Sequence, residues 1–171
     1  MKRITLLICG LAVSAILFNG RAVANPGRPD GWPPAYPSII GTWQVEVTVR
    51  ADAADCSTSP PVNFGLNPFP SLNTFHAGGT MSETGSRSPP ATRSPGHGVW
   101  QPSGKDTYDS RYTFQGFDAS GIQVTNMDIR SAITVAPDGN TFQGLSRLQF
   151  SIIGGITVPF CATLEGVRFT L

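Results

Sequence analysis

Residues 41–49, GTWQVEVTV, decide the fold of this chain. Their apolar members Trp43, Val45, Val47 and Val49 occupy every second position, and polar residues fill the positions between them. Because successive side chains of a β-strand point to opposite faces, this alternation predicts a strand with one buried face.

Runs with a similar alternation follow to the end of the sequence, separated by segments rich in glycine, proline and serine. The clearest separator is 137–140, PDGN, in which Pro and Asp-Gly favour a hairpin turn. Within the second run, the pair Gly78 and Gly79 predicts a β-bulge or a sharp bend. After the first strand, the predicted strand regions are 72–84, 97–100, 107–117, 122–136, 141–153 and 156–171.

The pattern predicts an all-β protein of seven or eight antiparallel strands with no helix. A meander of this length must hide its edge strands, either by closing on itself or by splitting into two layers. An up-and-down closed β-barrel is the first expectation, and a β-sandwich is the alternative. A barrel of about eight strands can hold one small ligand, and small residues on the inner face of the second strand region leave space for it.

The first 24 residues have the features of a cleaved secretory signal peptide. A basic head precedes an apolar run that, at about 15 residues, is too short to span a bilayer, and the run is followed by Ala22-Val23-Ala24. We expect cleavage after Ala24, a secreted or periplasmic protein and no stable membrane anchor. Residues 25–38 then form a Pro/Gly-rich extended lead-in, and residues 39–171 form a single β-barrel domain.

Charge and cysteine content narrow the possible partners and compartments. Without the signal the chain keeps nine basic and eleven acidic residues, a net charge of −2, and no basic patch that would bind nucleic acid. Of the three cysteines, Cys9 leaves with the signal, and Cys56 and Cys161 remain as a pair in an oxidising compartment. We predict a disulfide between them; two buried free thiols are the alternative.

Two groups of residues carry a resemblance to known barrels. Gly-Thr-Trp at 41–43 resembles the Gly-x-Trp signature of lipocalins and of wider calycin-like barrels. The segments 75–80, FHAGGT, and 96–100, GHGVW, are similar to those of uncharacterised secreted bacterial proteins with a lipocalin-like barrel. The resemblance covers residues 39–171.

The resemblance implies an arginine near the last strand that packs across the tryptophan of the first. Arg168 is the candidate, and the pair that it forms with Trp43 is expected to be structural, because a cation over an indole ring can close a barrel end without a ligand. Small cyclase barrels of the allene oxide cyclase type share the architecture, so the fold alone does not decide the function.

Binding of a small hydrophobic molecule inside the barrel is the first functional hypothesis. Binding sites of this kind are lined by apolar and aromatic side chains with few polar anchors. If the same side chains instead fill a solid core, the protein is a structural or surface-interaction module. The candidate ligand-binding residues are Phe75, Met81, His97, Trp100, Tyr108, Tyr112 and Phe114.

Acid–base catalysis is the second hypothesis, with the protein acting as a cofactor-free isomerase, cyclase or lyase. His97 can transfer a proton at neutral pH, with Glu83 or Tyr112 as its partner.

The two histidines, His76 and His97, and the cysteines lack the spacing of metal ligands, so neither a metal nor a cofactor is expected. We expect a monomer, with a dimer as the alternative.

Overall fold

In a computed structural model, which describes residues 38–63 and 65–171, eight antiparallel strands close into an up-and-down barrel. The predicted signal peptide and residues 25–37 of the predicted lead-in lie outside the described residues. The strands are β1 (Gly41–Ala51), β2 (Phe69–Phe75), β3 (Thr80–Gly85), β4 (Gly96–Pro102), β5 (Thr107–Phe117), β6 (Gln123–Val135), β7 (Thr141–Ile152) and β8 (Thr157–Arg168). A 3-10 turn at Pro90–Thr92 precedes β4. No helix in the described part of the chain is long and apolar enough to cross a bilayer.

Every strand pairs with its neighbour in sequence, and pairing of β1 with β8 closes the sheet. The closure runs from Trp43 opposite Arg168 to Ala51 opposite Phe160. It confirms the predicted closed barrel over the alternative of a two-layered sandwich. Along β1 the buried residues are those of the apolar half of the alternation, so the period of two sets which side chains enter the barrel.

The predicted second strand region, 72–84, is wrong in one respect: it is two strands rather than one bent strand. Gly78 and Gly79 form the turn between β2 and β3, with φ angles of +104° and +85°. Two successive residues in this left-handed region reverse the chain, which glycine permits without a steric penalty. The strand β2 also begins earlier than predicted and includes Pro70, whose ring is exposed.

The lower end of the barrel, where β1 begins, is tightly packed. The Trp43 ring is fully buried and lies 4.9 Å from the Phe142 ring. The Arg168 guanidinium lies 4.2 Å above the Trp43 ring, and its nitrogens donate hydrogen bonds to the backbone oxygens of Ile40 (2.7 Å) and Gly139 (2.6 Å). The resemblance implied this contact, and it closes the lower end with side chains.

The upper end of the barrel, where β1 ends, carries the longer loops. A disulfide between Cys56 and Cys161, with Cα atoms 5.8 Å apart, attaches the loop that follows β1 to the outer face of β8. The predicted disulfide is therefore confirmed. The loop between β3 and β4, residues 86–95, lies at the same end and contributes Arg87 and Arg93 to the barrel interior.

Candidate functional site

A cavity of about 460 Å³ occupies the upper half of the barrel. Every strand except β4 contributes to its wall, and β3 contributes only Glu83. The loop 86–95 completes the wall with Arg87, Ser88, Thr92 and Arg93. Most of the wall is aliphatic or aromatic. These apolar and aromatic lining residues are Val47, Val49, Phe69, Tyr112, Phe114, Met127, Ile129, Leu148, Phe150 and Phe160.

One ion pair is built into this wall. Arg93 Nη2 lies 2.6 Å from Glu83 Oε2, and the two side chains are 7% and 4% exposed. The second carboxylate oxygen of Glu83 accepts a hydrogen bond of 2.8 Å from Ser71 Oγ. A buried charge is costly unless it is paired and hydrogen-bonded, and both oxygens of this carboxylate are engaged. The pair is therefore neutral as a unit, and the third charged residue of the lining, Arg87, has interaction partners of its own.

Two glycines make room for the ion pair. A Cβ atom built on Gly85 would lie 2.7 Å from Arg93 Nη1, and one built on Gly96 would lie 2.7 Å from Glu83 Oε2. Real Cβ atoms do not approach other atoms so closely, so any larger residue would displace a charged group. Glycine at these two positions is thus explained by the packing of Glu83 and Arg93 against the backbone.

Aromatic rings flank the cation and the anion. The Arg93 guanidinium lies 3.6 Å from the centre of the Phe114 ring, a stacked cation–π contact. Burial raises the pKa of the Tyr112 hydroxyl, and the negative charge of Glu83 raises it further, against a smaller opposing effect of Arg93. Tyr112 therefore stays protonated in the physiological range. Tyr112 is one of the residues that line the cavity.

The structure divides the predicted ligand-binding residues into three groups. Tyr112 and Phe114 line the cavity, as does Glu83 from the predicted catalytic set. The other buried candidates pack in the core toward the lower end, with the Trp100 ring 6.3 Å from one neighbouring aromatic ring and 5.8 Å from another. This core group, which does not line the cavity, is Phe75, Met81, Trp100 and Tyr108.

His97 forms the third group by itself, because its side chain is exposed on the outer face of β4. Gly96, next to it, takes the buried position of the alternation, and a Cβ atom on Gly98 would overlap the Arg111 carbonyl oxygen of β5. The expectation that His97 lines the interior is therefore corrected. The glycines around it reflect close packing of β4 on its neighbours, and an interior acid–base role for His97 has no support from this geometry.

The sequence reasoning missed Arg93 and Ser71. Arg93 lies in a Ser/Pro-rich loop that has no period, and Ser71 precedes the predicted strand region. A usable signal was present, because Glu83 shares a strand face with Met81, a candidate ligand-binding residue, and buried carboxylates need a partner. The nearest arginines in sequence, Arg87 and Arg93, lie in the loop that follows it. Among the residues that the structure describes, no group of three or more His, Cys, Asp or Glu is placed to hold a metal ion.

Fold and cavity together define the class of this protein as an eight-stranded up-and-down β-barrel with an apolar internal cavity. Comparison with protein-family models, with curated proteins and with solved structures finds no match for the chain.

Proposed function

We propose that this protein binds a small, mainly apolar and uncharged molecule in the upper cavity of its barrel. The observation that carries the proposal is the cavity itself: about 460 Å³ of space enclosed by strands and walled by aromatic and aliphatic side chains. Cavities that bind small molecules have volumes of about 300–1,000 Å³ and this kind of lining. A filled structural barrel would have no such space.

The proposal that the ligand is uncharged follows from the ion pair. Glu83 and Arg93 neutralise each other at 2.6 Å. A charged ligand would have to break this pair, compete with the existing partners of Arg87 or remain uncompensated in a mainly apolar site, and each is costly. The hydroxyl of Tyr112, held neutral by its raised pKa, instead offers one hydrogen bond to a neutral polar group. A ligand with an apolar body and a hydroxyl, carbonyl or ether group fits this arrangement.

The loop 86–95 is held in place over the cavity by backbone pairing. Ser94 N donates to Gln115 O at 2.9 Å, Gln115 N donates to Ser94 Oγ at 3.0 Å, and Arg93 forms an isolated bridge with Gly116. These bonds continue the pairing of β4 with β5 on the residues that precede the start of β4. Arg93 is thus fixed at its backbone as well as at its guanidinium, which supports a preformed site.

We also propose that the protein is exported and that it is related to lipocalins. The disulfide supports an oxidising location, which agrees with export through a signal peptide cleaved after Ala24. The Gly-x-Trp motif, the Arg168 contact with Trp43 and the barrel topology support a lipocalin-like relationship. Residues 39–171 would then form the binding domain.

Titration with two related fluorophores tests the proposal. N-phenyl-1-naphthylamine is neutral, and 8-anilino-1-naphthalenesulfonate has the same ring system with an added sulfonate. We expect saturable binding of the neutral compound at one site, at least about tenfold tighter than that of the anion, because the sulfonate would have to compete with the existing partners of Arg93 and Arg87. Met127→Trp fills the cavity and should abolish binding. Gln149→Trp, on the outer face of the neighbouring strand, is the matched control and should bind normally.

A wild-type protein that binds neither fluorophore, or a Met127→Trp variant that binds as well as the wild type, would contradict the proposal. Tighter binding of the anion would leave the cavity in place but refute the argument from the ion pair.

A further inference from the structure

We infer that two hairpin tips at the upper end of the barrel dock on a lipid membrane and place the cavity mouth at its surface. The tips are the β5–β6 turn and the β7–β8 turn, residues 118–124 and 152–158. We call the five large aliphatic side chains that they expose the apolar tips: Ile122, Val124, Ile152, Ile153 and Ile156. This inference concerns a surface outside the cavity and goes beyond the binding of a ligand.

The apolar tips are exposed as a cluster rather than singly. Their exposed fractions run from 36% to 66%. One backbone hydrogen bond joins the two turns, from Ile153 N to Val124 O at 2.9 Å. Within the β7–β8 turn, Ile152 N donates to Ile156 O at 3.0 Å. Single exposed apolar residues are ordinary on soluble proteins, but a contiguous patch of them marks a surface that binds something.

The charge of the tips favours a membrane reached by hydrophobic contact. Within 118–124 and 152–158, all of which the structure describes, Asp118 is the one ionisable residue. Its Oδ1 atom accepts hydrogen bonds from Ser120 N at 2.8 Å and from Ile122 N at 3.0 Å, so the carboxylate stabilises the β5–β6 turn. Without a lysine or arginine on the tips, attraction to anionic head groups contributes little, and burial of aliphatic side chains is the main driving force.

The apolar tips lie at the ends of strands that also line the cavity. Ile152 follows Phe150, a cavity-lining residue, two positions later on β7, and lies opposite Thr125, which also lines the cavity. Ile156 lies just before β8, four positions ahead of the lining residue Phe160. An even spacing of this kind places two side chains on the same face of an extended chain. The apolar lining of the cavity therefore continues along these strands into the tips, which is the side from which an apolar molecule would enter from lipid.

A second copy of this chain is a poorer occupant. Stable dimer interfaces bury about 800 Å² on each partner and use roughly 20–30 residues a side, far more than five side chains on two turns. Hairpin turns also project from the end of a barrel, and a projecting apolar turn enters a fluid acyl layer without needing a complementary groove.

Sedimentation with phosphatidylcholine vesicles tests the inference on the exported chain, residues 25–171, with its disulfide intact. We expect the wild type to bind these uncharged vesicles, with little change when the salt concentration is raised from about 0.05 M to about 0.5 M, since screening acts on charge. The double variant Ile153→Glu with Ile156→Glu should lower the partition coefficient about tenfold or more, because two carboxylates would enter the interface.

The matched control is Val99→Glu. Val99 is 58% exposed on the outer wall of β4, close to the 57% of Ile153, but it lies away from the tips. It should leave vesicle binding unchanged, and both variants should bind N-phenyl-1-naphthylamine as the wild type does, which separates this inference from the proposed function.

Three results would overturn the inference. The wild type would fail to sediment with vesicles, or Val99→Glu would weaken binding as much as the tip variant does. In the third, the wild type would form a concentration-dependent dimer that the tip variant dissolves, with no binding to vesicles, which would identify a second copy as the occupant.

Discussion

Glu83 and Arg93 form a buried ion pair, 2.6 Å apart, between a strand of the barrel and the loop that covers its cavity. The pair connects the two parts of the proposed site. Glu83 belongs to β3 and is supported by Ser71 of β2, while Arg93 belongs to the loop 86–95 and lies against Phe114 of β5. The position of the loop and the neutralisation of the buried Glu83 carboxylate both depend on this contact.

Removing one member of the pair should destabilise the fold more than removing both. Arg93→Met leaves the Glu83 carboxylate buried without its counterion, and such losses amount to about 3–5 kcal/mol. The double variant Arg93→Met with Glu83→Gln leaves no uncompensated charge and should recover a large part of that loss. Urea unfolding of the wild type, both single variants and the double variant measures it. A loss below about 1 kcal/mol for Arg93→Met would contradict this prediction, because it would mean that the pair stabilises the fold no more than a solvent-exposed ion pair does.

Gly96→Ala should be destabilising because of Glu83. The added methyl group would lie 2.7 Å from Glu83 Oε2 and 3.0 Å from the Tyr112 ring. Crowding of this kind in a packed interior costs about 1–3 kcal/mol. In a Glu83→Ala background the charged neighbour is absent, so the same substitution should cost less. Equal costs in the two backgrounds, measured by urea unfolding, would mean that Glu83 is not what excludes a side chain at this position.

Much of the fold was predictable from the sequence, and the reason is local. The alternation in 41–49 and in the later runs reports which side chains enter the barrel, and it gave the inner faces of β5, with Tyr112 and Phe114, correctly. The error at Gly78 and Gly79 arose because a bulge and a tight turn use the same residue. Only the pairing of the flanking strands distinguishes them.

The site was predictable only in part, because alternation does not report height along the barrel. Tyr108 and Tyr112 share one face of β5, yet the first packs in the core toward the lower end and the second lines the cavity. His97 was predicted to line the interior, whereas the alternation that places Gly96 inside puts His97 outside. Arg93 lies in a loop whose apolar residues follow no regular spacing, so the sequence does not indicate which way its side chain points.

Ionisation of Tyr112 should make stability fall at alkaline pH. Its pKa is raised in the folded state above the ordinary value of 10.0. The folded protein therefore retains this proton when the unfolded chain has lost it. The contribution of Tyr112 is fully present below pH 10 and is lost as the pH rises from there toward the folded pKa, with a slope of up to about 1.4 kcal/mol per pH unit. Tyr112→Phe should have the shallower fall between about pH 9 and 11 in urea unfolding; parallel curves would contradict the assignment.

Arg168→Met should destabilise the lower end of the barrel without affecting the cavity. The substitution removes the cation over the Trp43 ring and the hydrogen bonds to the oxygens of Ser38, Ile40 and Gly139. We expect a loss of about 2 kcal/mol or more, since hydrogen bonds from a charged donor each contribute about 1.5–3 kcal/mol. Affinity for N-phenyl-1-naphthylamine should stay as in the wild type at a temperature where the variant is folded. Loss of binding by the folded variant would contradict the expectation that the packed lower end and the upper cavity are independent.

Reduction of the Cys56–Cys161 disulfide should lower the free energy of unfolding. The two residues are separated by 105 positions, and a bridge closing a loop of this size stabilises by about 4–5 kcal/mol in the chain-entropy description. Urea unfolding with and without a reductant measures the loss. In the double variant Cys56→Ser with Cys161→Ser the reductant should have no effect. A reductant-sensitive double variant would attribute the loss to something other than the disulfide.

The most direct measurement is a crystal structure of the exported chain soaked with N-phenyl-1-naphthylamine. The account predicts density for the dye in the upper cavity, in contact with Phe114, Met127 and Phe150 and near the Tyr112 hydroxyl, with the Glu83–Arg93 pair intact. A barrel interior filled by side chains, or dye bound only on the outer wall, would contradict it.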